Sequence, residues 1–112
     1  MQEINLIEAV RQAMYEEMDR DQSVFILGED IGVRGGVFLA TDGFLEVFGA
    51  KRVIDTPISE SAIAGVALGA AMRGMRPIAE IEFADFIWPV FNQILGEAAR
   101  LRYGTEGKLQ AP

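Results

Sequence analysis

Carboxylates are the side chains of this sequence best suited to do chemistry. They follow apolar stretches at three points: Glu29-Asp30, the run from Asp55 to Glu60, and the run from Glu82 to Phe86. The chain has no histidine and no cysteine, which excludes the commonest general base, thiolate nucleophiles, disulfides and cysteine-ligated metals. Any enzyme chemistry must therefore use carboxylates, a partner chain or a cofactor. Because charged residues are also ordinary in loops, clustering alone leaves a solvent-facing role open.

The segment Asp55-Thr56-Pro57-Ile58-Ser59-Glu60 is the most specific of these candidates. It joins a predicted strand to a predicted helix and leaves Glu60 in the first helical turn. The helix dipole alone favours an acid there, by about 0.3–1 kcal/mol. The same position suits a carboxylate that contacts a ligand, since ligands of open parallel sheets bind beyond the carboxyl ends of the strands. Both interpretations stay open on these grounds.

Glycines and aromatic residues give weaker signals. Residues 28–36 are rich in glycine but match neither the dinucleotide-binding pattern nor the Walker loop, so a plain loop is favoured over a phosphate site. Gly65 and Gly69 lie four residues apart in a stretch of small residues. They allow close helix packing, either within the chain or between subunits. The aromatic residues after the third predicted strand favour core packing over stacking on a ligand.

Helical and strand-like patterns alternate along the elements that must position these residues. Helices are predicted over residues 4–20, 41–48 (capped by Thr41), 59–72 (capped by Ser59) and 88–103; strands are predicted over 24–27, 52–55 and 77–83. Strands separated by helices indicate an α/β fold, a parallel sheet with helices on both faces in the order αβαβαβα. The helix over 59–72 is apolar all round, which predicts burial on several sides.

Composition narrows the class of protein further. The 112 residues suffice for one domain, taken as residues 1–112, and half of them are hydrophobic. The net charge of −7 argues against nucleic-acid and anionic-membrane partners, because both need a cationic surface. No signal peptide and no apolar run of transmembrane length is visible. We therefore expect a cytoplasmic protein.

Several strings of the sequence form a specific combination. They are Leu27-Gly28-Glu29-Asp30-Ile31-Gly32, Asp55-Thr56-Pro57-Ile58-Ser59-Glu60, Gly65-Val66-Ala67-Leu68-Gly69 and Glu80-Ile81-Glu82-Phe83-Ala84-Asp85-Phe86. Together they resemble the β subunit of the E1 component of 2-oxo acid dehydrogenase complexes, of the branched-chain and bacterial pyruvate types. The resemblance extends over residues 4–112.

This resemblance implies the N-terminal portion of a transketolase-like pyrimidine-binding domain, an incomplete thiamine-diphosphate fold. Glu60 matches the family's catalytic glutamate, whose carboxylate would hydrogen-bond the aminopyrimidine. Phe86 matches the aromatic residue that packs on the pyrimidine, and Ile58 matches an apolar residue of the same pocket. Glu82 stands where relatives of this type carry glutamine, which adds a second carboxylate. The implied reaction is decarboxylation of a 2-oxo acid and transfer of the acyl group to lipoyl.

The resemblance also implies partners. The family's enzyme is an α2β2 heterotetramer that binds thiamine diphosphate between α and β, with Mg²⁺ held by the α subunit, and it delivers the acyl group to the lipoyl-bearing E2. Gly65 and Gly69 match the family's subunit-packing motif. A full β subunit is much longer and includes a C-terminal domain. We therefore expect this stretch alone to be inactive, and either marginally stable or self-associating.

Three alternatives are compared with this interpretation. Transketolase and deoxyxylulose-phosphate synthase share the glutamate and the glycines but not the context from Asp55 to Glu60. A receiver-like signalling domain has a similar length and an acidic pair such as Glu29-Asp30, but it needs five strands. A non-catalytic assembly module would keep the fold and would not need Glu60.

Overall fold

A three-stranded parallel sheet runs through the middle of the computed structural model, which describes residues 3–111. The strands are β1 (Val24–Gly28), β2 (Val53–Asp55) and β3 (Arg76–Ala79), and β1 lies between the other two. Ile26 pairs with Val53 on one side and with Ile78 on the other. Every residue of β1 is buried, as expected for a continuous apolar strand covered on both faces. The α/β class with a parallel sheet is confirmed.

The helices are α1 (Leu6–Arg20), α2 (Phe44–Phe48), α3 (Glu60–Met72) and α4 (Leu101–Gly104). A capping box begins α1: Asn5 Oδ1 accepts from the Glu8 N–H at 2.9 Å, and the Glu8 carboxylate accepts from the Asn5 N–H at 3.0 Å. Within residues 3–111, no helix combines the length and the apolar character that crossing a membrane requires.

The continuous helix predicted over residues 88–103 is wrong in detail. Residues Ala84–Val90 form a 3₁₀-helix, Asn92–Glu97 a π-helix and Ala98–Arg100 a second 3₁₀ turn, which leads into α4. Pro89 lies inside the first of these. It has no N–H to donate and its ring crowds the preceding turn, so a regular α-helix cannot run through it. We call residues 84–104 the irregular helical segment.

Two further predictions need correction. Strand β3 ends at Ala79, not at residue 83, because its partner β1 ends at Gly28 and leaves no backbone to pair with. Thr41 does not cap α2: the cap position is Gly43, whose φ of 79° is left-handed. The Thr41 hydroxyl instead donates to the Ile31 carbonyl at 2.7 Å.

Alternate residues of β1 contribute to separate cores on the two faces of the sheet. The first core contains Met18, Val24, Ile26, Ile31, Phe44 and Val53. The second contains Phe25, Leu27, Ile63 and Ala67. Helices α1 and α2 therefore cover one face and α3 the other. The buried residues of α3 are Ile63, Ala67 and Ala71, a single stripe, so its predicted burial on several sides is wrong. Val66 is 58% exposed.

Candidate functional site at the carboxyl ends of the strands

The three strands bring acidic residues to one edge of the sheet. Because the strands are parallel, the residues that follow Gly28, Asp55 and Ala79 all lie at the same end. Helix α3 also begins there, with Glu60 as its first residue. The clustering of carboxylates expected from the sequence is therefore present in the fold.

A loop of residues 29–43, which we call the glycine loop, forms one wall of this edge. Asp55 Oδ1 accepts from the Gly32 N–H at 2.7 Å, and a Cβ atom at position 32 would collide with the same carboxylate. Gly35 and Gly36 have φ angles of 73° and 79°, a region that glycine adopts without steric cost. Asp55 therefore fixes the loop against β2.

Glu29 is the most buried acid of this edge, with 7% of its surface exposed. Its Oε1 atom has no hydrogen-bond partner among the residues that the structure describes. Burial raises the pKa of Glu29, the Ser59 N–H lowers it less, and the nearby carboxylates of Glu60 and Glu82 raise it further. Glu29 therefore keeps its proton to a higher pH than a free glutamate and lies among the other site acids.

Glu80 is a second acid with a raised pKa. Burial is the main cause, and the charges of Glu82 and Glu29 add to it. The close approach of Glu80 to β1 depends on Gly28, because a Cβ atom there would lie 2.9 Å from the Cβ of Glu80. The Oε2 atom of Glu80 is buried and lacks a partner within the described part of the chain. Glu29, Glu80 and Glu82 therefore lie close enough for the charge of one carboxylate to affect the pKa of another.

The site residues predicted from the sequence fall into two groups. Glu60 and Glu82 are both partly buried and lie near enough to Glu29 to raise its pKa. Ile58 and Phe86 are exposed, by 83% and 40% respectively. Ser59 occupies the cap position of α3 as expected, but its side chain makes no capping hydrogen bond. With φ at −169° and ψ at 65°, its backbone N–H faces Glu29 instead.

Three phenylalanine rings form a chain along the rim of the site. The Phe83 ring contacts that of Phe86 edge-on, with centroids 5.7 Å apart. On its other side Phe83 contacts Phe38 of the glycine loop, with centroids 6.0 Å apart. Edge-to-face geometry is the favoured arrangement of aromatic pairs. The orientation of Phe86 is therefore linked to Phe38, which lies 48 positions earlier in the chain.

The paired glycines of α3 have different surroundings. A Cβ atom at Gly65 would lie 3.4 Å from the Gln93 side-chain amide, an ordinary contact distance, so Gly65 faces the irregular helical segment. Nothing within the described residues lies within 4 Å of a Cβ at Gly69. The sequence left packing within the chain and packing between subunits open for this pair. In the structure Gly65 lies at a contact inside the chain, and Gly69 faces outward.

The chemistry this arrangement supports is proton holding. No group of three or more histidine, cysteine, aspartate or glutamate side chains within residues 3–111 is placed to hold a metal ion. Burial and neighbouring carboxylates raise the pKa values of Glu29 and Glu80, so each keeps its proton to a higher pH than a free glutamate. Glu60 supplies a partly buried carboxyl at the start of α3, and Phe86 supplies an aromatic ring that is 40% exposed.

Glu80 and Phe38 are contributors that the sequence does not single out, whereas Glu29 is among its candidate carboxylates. Glu29 has a local signal, since it follows an apolar strand directly. Glu80 had none, because the alternating pattern placed it inside a strand. Phe38 could be found only from its distant contact with Phe83.

Comparison with known proteins identifies the family of this chain. The family model described as the transketolase pyrimidine-binding domain matches residues 2–111. The chain belongs to this family. The match confirms the resemblance and the fold expected from the sequence. The matched residues include the glycine loop and the start of α3, where the acidic residues lie.

Curated members with this pyrimidine-binding domain include E1 β subunits. The chain is 58% identical over 112 residues to 2-oxoisovalerate dehydrogenase subunit beta of Bacillus subtilis (strain 168), covering 100% of the chain and 34% of that protein. It is 44% identical to a pyruvate dehydrogenase E1 component subunit beta of Staphylococcus epidermidis, with the same coverage of 100% and 34%. It is 42% identical over 111 residues to 3-methyl-2-oxobutanoate dehydrogenase subunit beta of Mycobacterium tuberculosis, covering 99% of the chain and 32% of that protein. The chain thus spans about a third of the length of the curated relatives it matches.

Proposed function

We propose that this chain is the N-terminal part of the β subunit of a thiamine-diphosphate-dependent 2-oxo acid dehydrogenase. The intact enzyme would decarboxylate a 2-oxo acid and pass the acyl group to a lipoyl-bearing E2. The names of the relatives support both a branched-chain and a pyruvate type, with the higher identity on the branched-chain side. We further propose that residues 1–112 form a portion of one pyrimidine-binding domain.

The observation that carries this proposal is the position of Glu60. It begins α3 at the strand-end edge, partly buried, beside the buried carboxyl of Glu29. The rim offers an aromatic ring at Phe86 and an exposed apolar side chain at Ile58. The unpartnered Oε1 of Glu29 marks a polar interior that a ligand's polar atoms can complete. An acid, a flat apolar face and unpaired polar atoms together fit an aminopyrimidine.

In the proposed mechanism Glu60 holds a proton at the N1′ atom of the aminopyrimidine. Phe86 packs on the ring and Ile58 lines the same pocket, so both orient it and exclude water. Glu82 places a negative charge near Glu29 and Glu80 and so helps to raise the pKa of both carboxyls. Thiamine diphosphate, when bound, supplies the carbon nucleophile and the electron sink for decarboxylation. The absence of histidine is therefore no obstacle at this step.

The proposed assembly is an α2β2 heterotetramer. An α subunit would hold the diphosphate through Mg²⁺, and a second β subunit would pack on the outward face of α3. The exposure of Val66 and the open space around Gly69 support a packing role for that face. Lipoyl-bearing E2 would receive the acyl group.

Replacement of Glu60 tests the proposal. In a full-length β subunit assembled with its α subunit, Glu60→Gln keeps the size of the side chain and removes the acid. We expect turnover of the 2-oxo acid to fall by about 10²–10⁴-fold, the range for lost acid–base function. Glu97→Gln is the matched control, an exposed acid of the irregular helical segment. Near-normal turnover in Glu60→Gln would exclude Glu60 from the mechanism and favour a non-catalytic assembly module.

A further inference from the structure

The ring of Phe86 is the free end of a chain of three phenylalanines. Phe86 is 40% exposed and contacts Phe83 at a centroid distance of 5.7 Å with the ring planes 85° apart. The backbone supports the same pair, since the Phe86 N–H donates to the Phe83 carbonyl at 3.0 Å. The position of the Phe86 ring thus depends on where Phe83 is held.

Phe83 is held in turn by Phe38, which belongs to the glycine loop. Their centroids are 6.0 Å apart and the ring planes are inclined by 73°. Phe83 itself lies beyond the end of β3, where sheet pairing no longer fixes the backbone. The contact with Phe38 therefore supplies a restraint that the sheet does not.

Hydrogen bonds fix the backbone of the glycine loop on either side of Phe38, whose own side chain is 54% exposed. The buried Thr41 hydroxyl donates to the Ile31 carbonyl at 2.7 Å, which closes the loop across its base. Turn hydrogen bonds join Gly36 to Asp30 at 2.9 Å and Leu39 to Gly36 at 3.1 Å. Leu39, next to Phe38, has a left-handed φ of 57°, a conformation that a non-glycine residue adopts only when its surroundings enforce it.

We propose that Phe38 is a positioning residue for the pyrimidine pocket, acting on Phe86 through Phe83. The inference rests on the proposed function, in which Phe86 packs on the aminopyrimidine. The glycine loop would then organise both sides of the pocket. Its first residue, Glu29, lies near Glu60, and Phe38 contacts Phe83 and so orients the ring of Phe86.

A double-mutant cycle on cofactor affinity tests the proposal. Phe38→Ala, Phe86→Ala and the double variant are made in the full-length β subunit assembled with its α subunit, and thiamine diphosphate binding is measured by calorimetry in the presence of Mg²⁺. We expect Phe38→Ala to weaken binding by about three- to tenfold, the scale of one aromatic pair. We expect no further weakening from Phe38→Ala when Phe86 is already alanine, because coupled residues are not additive.

Matched variants separate positioning from a general loss of structure. Phe38→Leu keeps most of the apolar volume and removes the ring, and we expect it to weaken binding nearly as much as alanine without altering the melting temperature. Val33→Ala changes another exposed apolar residue of the same loop and should leave affinity unchanged. Wild-type affinity in Phe38→Ala and Phe38→Leu, with a weakened Phe86→Ala, would overturn this inference and leave the proposed function intact. Additive losses in the double variant would also overturn it. Wild-type affinity in Phe86→Ala would overturn the proposed stacking, and this inference with it.

Discussion

The two faces of the sheet are packed in different ways. The face covered by α1 and α2 has large side chains at its centre, and Met18, Ile26 and Phe44 are all at most 1% exposed. The face covered by α3 packs Phe25 and Leu27 of β1 against a helix stripe of Ile63 and the small residues Ala67 and Ala71. Large interlocked side chains bury more apolar area per contact than alanines do. The first face is therefore the better closed of the two.

The second face leaves part of its apolar surface uncovered. Its exposed large residues are Val66, Trp88, Ile94 and Leu95, and Trp88 is 73% exposed. The apolar groove between α3, β3 and the irregular helical segment, which includes Leu68, Ile81 and Ile94 in its lining, has a volume of about 370 Å³. The first face therefore holds the better-closed core, and the second face presents apolar surface that is available for further contacts.

Truncation of Phe44 is the change with the largest expected effect on this comparison. We expect Phe44→Ala to cost about 3–5 kcal/mol of unfolding free energy, because it leaves a cavity in the first core. That is comparable to the whole stability of a small domain, so the milder Phe44→Leu keeps the measurement possible. Urea unfolding of the 112-residue chain, followed by circular dichroism, gives the values.

Leu95→Ala is the control on the second face, and we expect it to change stability by less than about 0.5 kcal/mol. Leu95 is 62% exposed, so little packing is lost. Equal losses at Phe44 and Leu95 would show that the two faces are equally closed.

Arg52 is expected to have the next largest effect, because it ties the end of α1 to the sheet. Its guanidinium donates to the backbone carbonyls of Met18, Asp21 and Val24 at 2.5, 2.9 and 2.7 Å. It also lies over the Phe48 ring, 5.2 Å from the centroid. We expect Arg52→Ala to destabilise the chain by about 1–3 kcal/mol, since partly buried carbonyls lose their donor.

Arg52→Lys tests the geometry of this contact. An ammonium keeps the charge but not the planar fork, so we expect it to recover less than half of the loss. Arg100→Ala, at an exposed arginine of the irregular helical segment, is the control and should be near neutral in the same urea experiment. Full recovery by lysine would mean that charge, and not the fork, makes the contact.

The sequence predicts the first face and the element order well, because both depend on local patterns. The spacing of Met14 and Met18 predicts α1, and the apolar run of β1 predicts a central strand. The sequence predicts the irregular helical segment poorly. Pro89 is compatible with the first turn of a helix, but the helical segment begins earlier, at Ala84, so Pro89 lies inside it. A boundary set by a proline and by tertiary contacts cannot be read from periodicity.

For the candidate site, the sequence identifies residues through position and resemblance, and it misses those defined by long-range contact. Glu60 follows from the strand-to-helix pattern. The depth of Glu29 and the ring contact of Phe38 depend on the path of the glycine loop, which the left-handed residues Asp30 and Leu39 determine. Such conformations are rare for non-glycine residues, so no local propensity predicts them.

The smallest expected effect concerns Glu80, at the edge where the two faces meet. Burial first, and then the charges of Glu82 and Glu29, raise the pKa of Glu80 in the folded chain above that of the unfolded chain. As pH rises above about 4.3, the pKa of an unfolded glutamate, the unfolded chain loses the Glu80 proton while the folded chain keeps it. The unfolding free energy therefore falls with rising pH until the pKa of Glu80 in the folded chain is passed. Glu80→Gln removes this titration. We expect the variant to match the parent near pH 4 and to be more stable at pH 7, as measured by melting temperature across that range.

Glu97→Gln, an exposed acid away from the strand ends, is the matched control for Glu80→Gln. The two variants lose the same charge, so they share any change that comes from the net charge of −7. Only the Glu80 variant should then show an excess stability that grows as pH rises. A pH-independent difference between the two would mean that the Glu80 carboxyl is solvated in the folded chain. The strand-end edge would then behave as ordinary surface, and the packing contrast between the two faces would not extend to it.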